Sequence, residues 1–274
     1  VDMDNTTLDS VMMDIDASGN AYFSGIHYGN NDQFEWNETV YYTGDADNYA
    51  YVAKINSDGS EGYFQRLSNG NDLKIDAIAA EDNGNLLIAG VPFGANGRIE
   101  HIGFHQYCIE GTSATQSHIY VIKLNTQGVC IGSASGKMVQ NSGHTTSSWV
   151  ELTDIAVDNS GNFFITGSFR TELTVGSGTS GSTKHTESSY CSTNPNTCST
   201  PYYLAKGSVS AGYFGGGSFS WLIVDDNSNN NAAHSNSSGQ ALDVDSNGNP
   251  ILVGTVDSSS AFVGLSTTSY GGAD

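Results

Sequence analysis

The sequence predicts an all-β fold of tandem four-stranded antiparallel units, a β-propeller or partial propeller with long inserted loops. Three observations carry this. A short turn recurs as Asp14-Ile-Asp-Ala-Ser-Gly-Asn20, Glu81-Asp-Asn-Gly-Asn85, Val157-Asp-Asn-Ser-Gly-Asn162 and Val244-Asp-Ser-Asn-Gly-Asn249, each copy lying between two apolar runs. Such recurrence marks one supersecondary unit used repeatedly. The 33 Gly against 4 Pro, with 14 Tyr and 11 Phe, suit many short strands joined by tight turns. Nowhere does a window of a dozen residues show helical periodicity.

The elements follow in order. Leu8 to Asp16 reads as a strand leading into the first turn, and an apolar run ending in Gly25 follows it. The second unit is the clearest. Ala50 to Asn56 is its first strand, Ser57 to Ser60 a turn in which Gly59 supplies positive φ, and Gly62 to Leu67 its second strand. Lys74 to Ala80 and Leu86 to Gly90 are the third and fourth, joined by the recurrent turn. Four antiparallel strands in sequence form a meander, the shape of a propeller blade. The third unit repeats the order with His118 to Leu124, a strand near Cys130, Val150 to Val157 and Asn162 to Gly167. The fourth has Tyr202 to Lys206, Phe219 to Val224, Gln240 to Val244 and Pro250 to Gly254. Lys206-Gly207-Ser208 replaces the Lys-Ile-Asn or Lys-Leu-Asn of the other copies, which predicts an irregular hairpin there.

The turn glycines Gly19, Gly84, Gly161 and Gly248 lie 65, 77 and 87 residues apart. A minimal blade needs about 40–50 residues, so the excess falls in insertions at 92–117, 171–201 and 225–239. Insertions on repeat scaffolds collect on one face and carry contacts. Both ends fall inside the repeat. The expectation is one domain over residues 1–274, with three full units and one incomplete N-terminal unit. Such a chain is either a fragment of a larger propeller or a strand-exchanged assembly, since open sheet edges invite pairing.

The strand, the Asp/Asn-x-x-Gly-Asn turn, the apolar strand ending in Gly and the run Ala50-Tyr-Val-Ala-Lys-Ile-Asn56 together resemble the bacterial SBBP (β-propeller) repeat. Ala50 to Asn56, Ile155 to Ser168 and Asp243 to Gly254 carry the resemblance most strongly, and it covers most of the chain outside the insertions. It implies a propeller fold and an extracellular setting, without naming an activity.

Nine Lys plus Arg stand against 29 Asp plus Glu, a formal charge of −20. A field of that sign repels phosphate backbones and anionic membranes, so neither nucleic acid nor membrane insertion is expected. No run of 18 apolar residues is present. The sequence opens on Val1 without a signal-peptide pattern, as a mature, processed or fragmentary chain would. Cys191 and Cys198 bracket a Pro/Asn-rich turn, and a local disulfide is expected there; Cys108 and Cys130 are the second expected pair. Both point to an oxidising, extracellular or cell-surface location.

Three constellations are candidates for binding chemistry. Asp14 and Asp16, and likewise Asp243 and Asp245, open their turns in the manner of a calcium loop, although the twelfth-position acid is missing and turn capping explains the same residues. His101 and His105, near Cys108, have metal-like spacing without a second ligand pair. Phe34, Trp36 and Glu38 place aromatic rings beside a carboxylate, as a glycan contact would. Trp149 and Trp221 fall in strand patterns and are expected to fill gaps between blades. No nucleophile elbow, phosphate loop or His-Glu-x-x-His pattern occurs, and no cofactor is expected. The sequence is read as a non-catalytic extracellular or cell-surface scaffold that contacts other protein chains or surface glycans. The rivals are a glycan-active enzyme on a propeller, and a structural subunit of a fibre or surface layer whose chains pair through edge strands as a homo-oligomer.

Overall fold

The structure, a computed structural model, describes residues 7–28, 33–36, 39–42, 49–68, 74–91, 99–102, 106–109, 118–137, 149–170, 172–175, 182–185, 202–209, 217–224, 238–255, 261–262 and 265–266. Every regular element among the described residues is a strand. β1 (Thr7–Ile15) and β2 (Ala21–Tyr28) flank the first recurrent turn, followed by the short hairpin β3 (Gln33–Trp36) and β4 (Thr39–Tyr42), then β5 (Tyr49–Ile55) and β6 (Glu61–Ser68). β7 (Ala77–Ala80) and β8 (Leu86–Gly90) flank the second turn, and β9 (Ile99–Ile102), β10 (Gln106–Ile109), β11 (His118–Leu124) and β12 (Cys130–Lys137) follow. The third turn joins β13 (Trp149–Val157) to β14 (Asn162–Arg170), ahead of β15 (Glu172–Val175), β16 (Ser182–His185), β17 (Tyr202–Ser208) and β18 (Ser218–Val224). The fourth joins β19 (Ser238–Val244) to β20 (Pro250–Thr255), with β21 (Ala261–Phe262) and β22 (Leu265–Ser266) after it.

Hydrogen bonding groups these strands across the sequence units. Chain order suggests β5 to β8 as one meander, yet β5 and β6 complete the sheet begun by β1 and β2, in the order β1-β2-β5-β6. The reason is the free edge of β2, which pairs with β5 from Ala21–Ile55 to His27–Tyr49. The chain then crosses to a new sheet at β7. The same order returns as β7-β8-β11-β12 and β13-β14-β17-β18, while β19 and β20 form a two-stranded sheet among the described residues. Two insertions contribute strands that the sequence leaves as loop: β9–β10 extends from β6, and β15–β16 forms a hairpin. The segment around Trp36 pairs β3 with β4.

The chain forms two compact units, the first made of residues 1–115, 120–133 and 209–216 and the second of 116–119, 134–208 and 217–274. In the first, Tyr22, Ala50, Val52, Tyr63 and Leu67 of the β1–β6 sheet pack on Ile78, Leu86, Ile88, Tyr120 and Ile122 of the β7–β11 sheet. Alternation along each strand sends these residues to one face. The Cys108–Cys130 disulfide, Cα–Cα 5.6 Å, is buried in this cluster, as the sequence pairing expects. In the second unit Ala156, Phe164 and Leu204 pack on Leu242, with Val244 and Leu252 beside it.

A β-bulge recurs at one repeat position, between Asp9 and Met12, between Leu152 and Asp154, and between Gly239 and Ala241. Bulges re-aim side chains. Just beyond the bulge in β13, Asp154 Oδ2 accepts the Leu242 N–H of the next sheet at 2.7 Å. In the first unit Asp14 Oδ2 does the same for Ala80 N–H at 2.7 Å. The hairpin after Lys206 is irregular, with a register shift between Lys206 and Gly207.

Candidate functional site

The recurrent turn is a closed device built by its acid. Asp16 Oδ1 accepts the backbone N–H groups of Ser18 and Asn20, both at 2.9 Å, while Oδ2 accepts Asn20 Nδ2 at 2.7 Å and the Tyr22 hydroxyl at 2.9 Å. Asp158 repeats this with Ser160 and Asn162, and Asp245 with Asn247 and Asn249. The glycine that completes the turn has φ near 80° each time, 81° at Gly19 and 80° at Gly248, a conformation open to glycine at little cost. Burial pushes the Asp16 and Asp158 carboxyls up, but the hydrogen bonds from Asn20 and Asn162, with the others in each turn, outweigh it and hold both below the usual range. At Asp245 the Asn249 side chain leads the lowering. Tyr22 moves the other way, its phenol pushed well up by burial and then by Asp16.

A second device crosses from the neighbouring strand. Each complete sheet carries Tyr-x-x-Lys: Tyr51 to Lys54 in β5, Tyr120 to Lys123 in β11, Tyr203 to Lys206 in β17. The tyrosine stands opposite the glycine six residues after the turn glycine, in the pairs Gly25–Tyr51, Gly90–Tyr120 and Gly167–Tyr203. Its ring lies over that glycine: a Cβ on Gly25 would sit 2.8 Å from the Tyr51 hydroxyl, and one on Gly90 2.8 Å from that of Tyr120. Two of the hydroxyls donate to a backbone carbonyl, Tyr120 to Lys74, which precedes β7, at 2.6 Å and Tyr203 to Glu151 of β13 at 3.1 Å. The lysine stands opposite Tyr22, Leu87 or Phe164, and in two of the three sheets it reaches the turn acid. Lys123 pairs with Glu81 and Lys206 with Asp158 at 3.4 Å, while Lys54 lies 5.6 Å from the centroid of Tyr22. No periodicity rule reveals this. The signal was the spacing of Tyr and Lys in three strands, visible only once the strands are paired.

The residues singled out in the sequence take these places. Asp16 and Asp245 cap their turns. Asp14 is an acceptor between sheets, and Asp243 is exposed and accepts its neighbour's Val244 N–H. His101 lies in β9, opposite Leu67 and Gln106. Phe34 and Trp36 lie in β3. His105, Glu38, Cys191 and Cys198 lie outside the described residues. Among the described residues no group of three or more His, Cys, Asp or Glu side chains is arranged to hold a metal ion. Trp149 and Trp221 fall in β13 and β18.

Aligning the four copies on their turn glycines exposes a break in the pattern. Six residues before that glycine, Ile78, Ile155 and Leu242 are 7%, 3% and 8% exposed, but Met13 is 60% exposed. Three residues after it, Tyr22, Leu87 and Phe164 are 0%, 0% and 1% exposed, but Ile251 is 53% exposed. Val11 and Ile15 share the uncovered face of β1, and Val253 that of β20. The chain matches no protein-family model, and no curated protein matches it.

Proposed function

We propose that this chain is a non-catalytic scaffold module of an extracellular or cell-surface protein, its sheets serving as blades of a propeller or partial propeller that stacks onto further copies. The carrying observation is the pair of uncovered apolar faces. Position by position, Met13 and Ile15 correspond to Leu242 and Val244, which in the last sheet lie in the cluster with Phe164, and Ile251 corresponds to Phe164 itself. Each uncovered face thus has the chemistry of the other's natural cover. A contact of this kind between copies is heterologous, head to tail. In this reading the long insertions contact protein or glycan partners. The extracellular setting is supported by the buried Cys108–Cys130 bridge, which suits an oxidising compartment.

Sedimentation velocity over a concentration series tests the assembly at physiological salt. Wild-type chain should form oligomers, and both the Met13→Asp and Ile251→Asp variants should fail to grow beyond dimer or monomer. Mixed together, the two variants should yield a 1:1 dimer, because each retains the face the other lacks. A wild-type chain that stays monomeric at every concentration refutes the stacking. Turnover of a glycan substrate by purified protein, abolished by a single carboxylate substitution, refutes the non-catalytic reading.

A further inference from the structure

The two-stranded sheet lacks what the three complete sheets share, and the shared parts define what would fill it. Among the described residues β20 pairs with β19 alone, so the edge that β2, β8 and β14 give to a Tyr-x-x-Lys strand is open. All the receiving groups are nevertheless in place. Gly254 of β20 holds the position of Gly25, Gly90 and Gly167, and it is exposed. Ser238, whose carbonyl is beside the Cβ position of Gly254, stands where Lys74 and Glu151 offer theirs to a tyrosine hydroxyl. Asp245 holds the position of Glu81 and Asp158. Its Oδ2 accepts Asn249 Nδ2, whereas Asp158 Oδ2 accepts both Asn162 and Lys206. The three Tyr-x-x-Lys copies in the sequence already belong to β5, β11 and β17.

We propose that the edge of β20 binds, by antiparallel strand addition, an extended segment of a partner polypeptide with the pattern Tyr-apolar-apolar-Lys. The register is fixed by precedent: tyrosine opposite Gly254, lysine opposite Ile251. Main-chain hydrogen bonds to the edge supply affinity, and the two side-chain sites supply selectivity. The tyrosine ring covers the bare backbone of Gly254 and its hydroxyl donates to the Ser238 carbonyl. The lysine reaches the Asp245 carboxylate, whose charge is maintained by its turn. This inference goes beyond the stacking reading, which concerns the faces of the sheets and not this edge, and neither depends on the other.

The probe is a fluorescently labelled synthetic peptide with the sequence of residues 49–68, the chain's own β5–β6 hairpin, titrated into the full 274-residue chain by anisotropy. Saturable 1:1 binding is expected. Replacing the peptide's tyrosine at position 51 by Ala, or its lysine at position 54 by Ala, should weaken it about tenfold. On the protein, Gly254→Val fills the tyrosine platform and should abolish binding. Asp245→Asn should weaken the Lys-bearing peptide and leave the Lys-to-Ala peptide unaffected, a coupling that loss of fold would not produce. Circular dichroism melts check that both variants remain folded. Absence of binding at millimolar peptide, or binding indifferent to the tyrosine and lysine, overturns the proposal. Failure of stacking with peptide binding intact refutes only the head-to-tail contact.

Discussion

Phe164 and Ile251 occupy the same place in two copies of one repeat, three residues after the turn glycine, and truncating each to alanine should give very different results. Phe164 is 1% exposed, packs on Leu242 and carries Lys206 Nζ 4.7 Å from its ring centroid. Removing a buried phenylalanine leaves a cavity that collapses only partly, a loss of about 3–5 kcal/mol. Ile251 is 53% exposed, so about half of its side chain's burial term of about 1.5–3 kcal/mol is at stake, or roughly 1 kcal/mol. The assay is urea unfolding at low protein concentration, followed by far-UV circular dichroism. With a slope of about 1–3 kcal/mol per molar urea, Phe164→Ala should lower the midpoint by about 1 M or more. Ile251→Ala should lower it by about a third of that. Equal destabilisation by the two in dilute solution would refute the reasoning, because it would mean that the face of β20 is covered within a single chain.

Other outcomes follow from the same contacts. Replacing both Cys108 and Cys130 by Ala opens a loop with a sequence separation of 22 and should cost about 3 kcal/mol in urea unfolding, mostly through a freer unfolded chain. Gly90→Ala sets a Cβ against the Lys74 carbonyl and 2.8 Å from the Tyr120 hydroxyl, and should lower stability by about 1–3 kcal/mol as an overpacked site does. Asp16 and Asp158 are held below their unfolded values, so their contribution is complete above about pH 4 and fades as pH falls through the lower folded values. An acid titration of the melting temperature should therefore fall below about pH 4, and Asp16→Asn with Asp158→Asn should flatten that fall.

The strands and turns were legible because their causes are local. Alternating apolar residues announce a strand, and Gly59 and Gly84 announce turns whose φ values of 83° and 84° only glycine adopts readily. The Cys108–Cys130 pairing was legible because only four cysteines had to be matched. What escaped was long-range. Asp14 reads as a loop ligand from its neighbours, but its partner, the Ala80 N–H, lies in another sheet. The grouping of β5 with β2 depends on which edge is free, and sequence order does not encode that. The role of Tyr120 needed Gly90 beside it, a pair separated by 30 positions in the chain and joined only by register.

The uncovered strips on β1 and β20 have a consequence for how the chain responds to its surroundings. They lie on a polypeptide of formal charge −20. Like-charged copies repel at a distance, whereas apolar contact acts only where surfaces touch. In dilute buffer the repulsion extends tens of ångströms and keeps copies apart; at physiological ionic strength it is screened within about 8 Å. If the strips stack as proposed, salt concentration should govern when one strip reaches another, leaving the chain dispersed in fresh water and assembling it in brine.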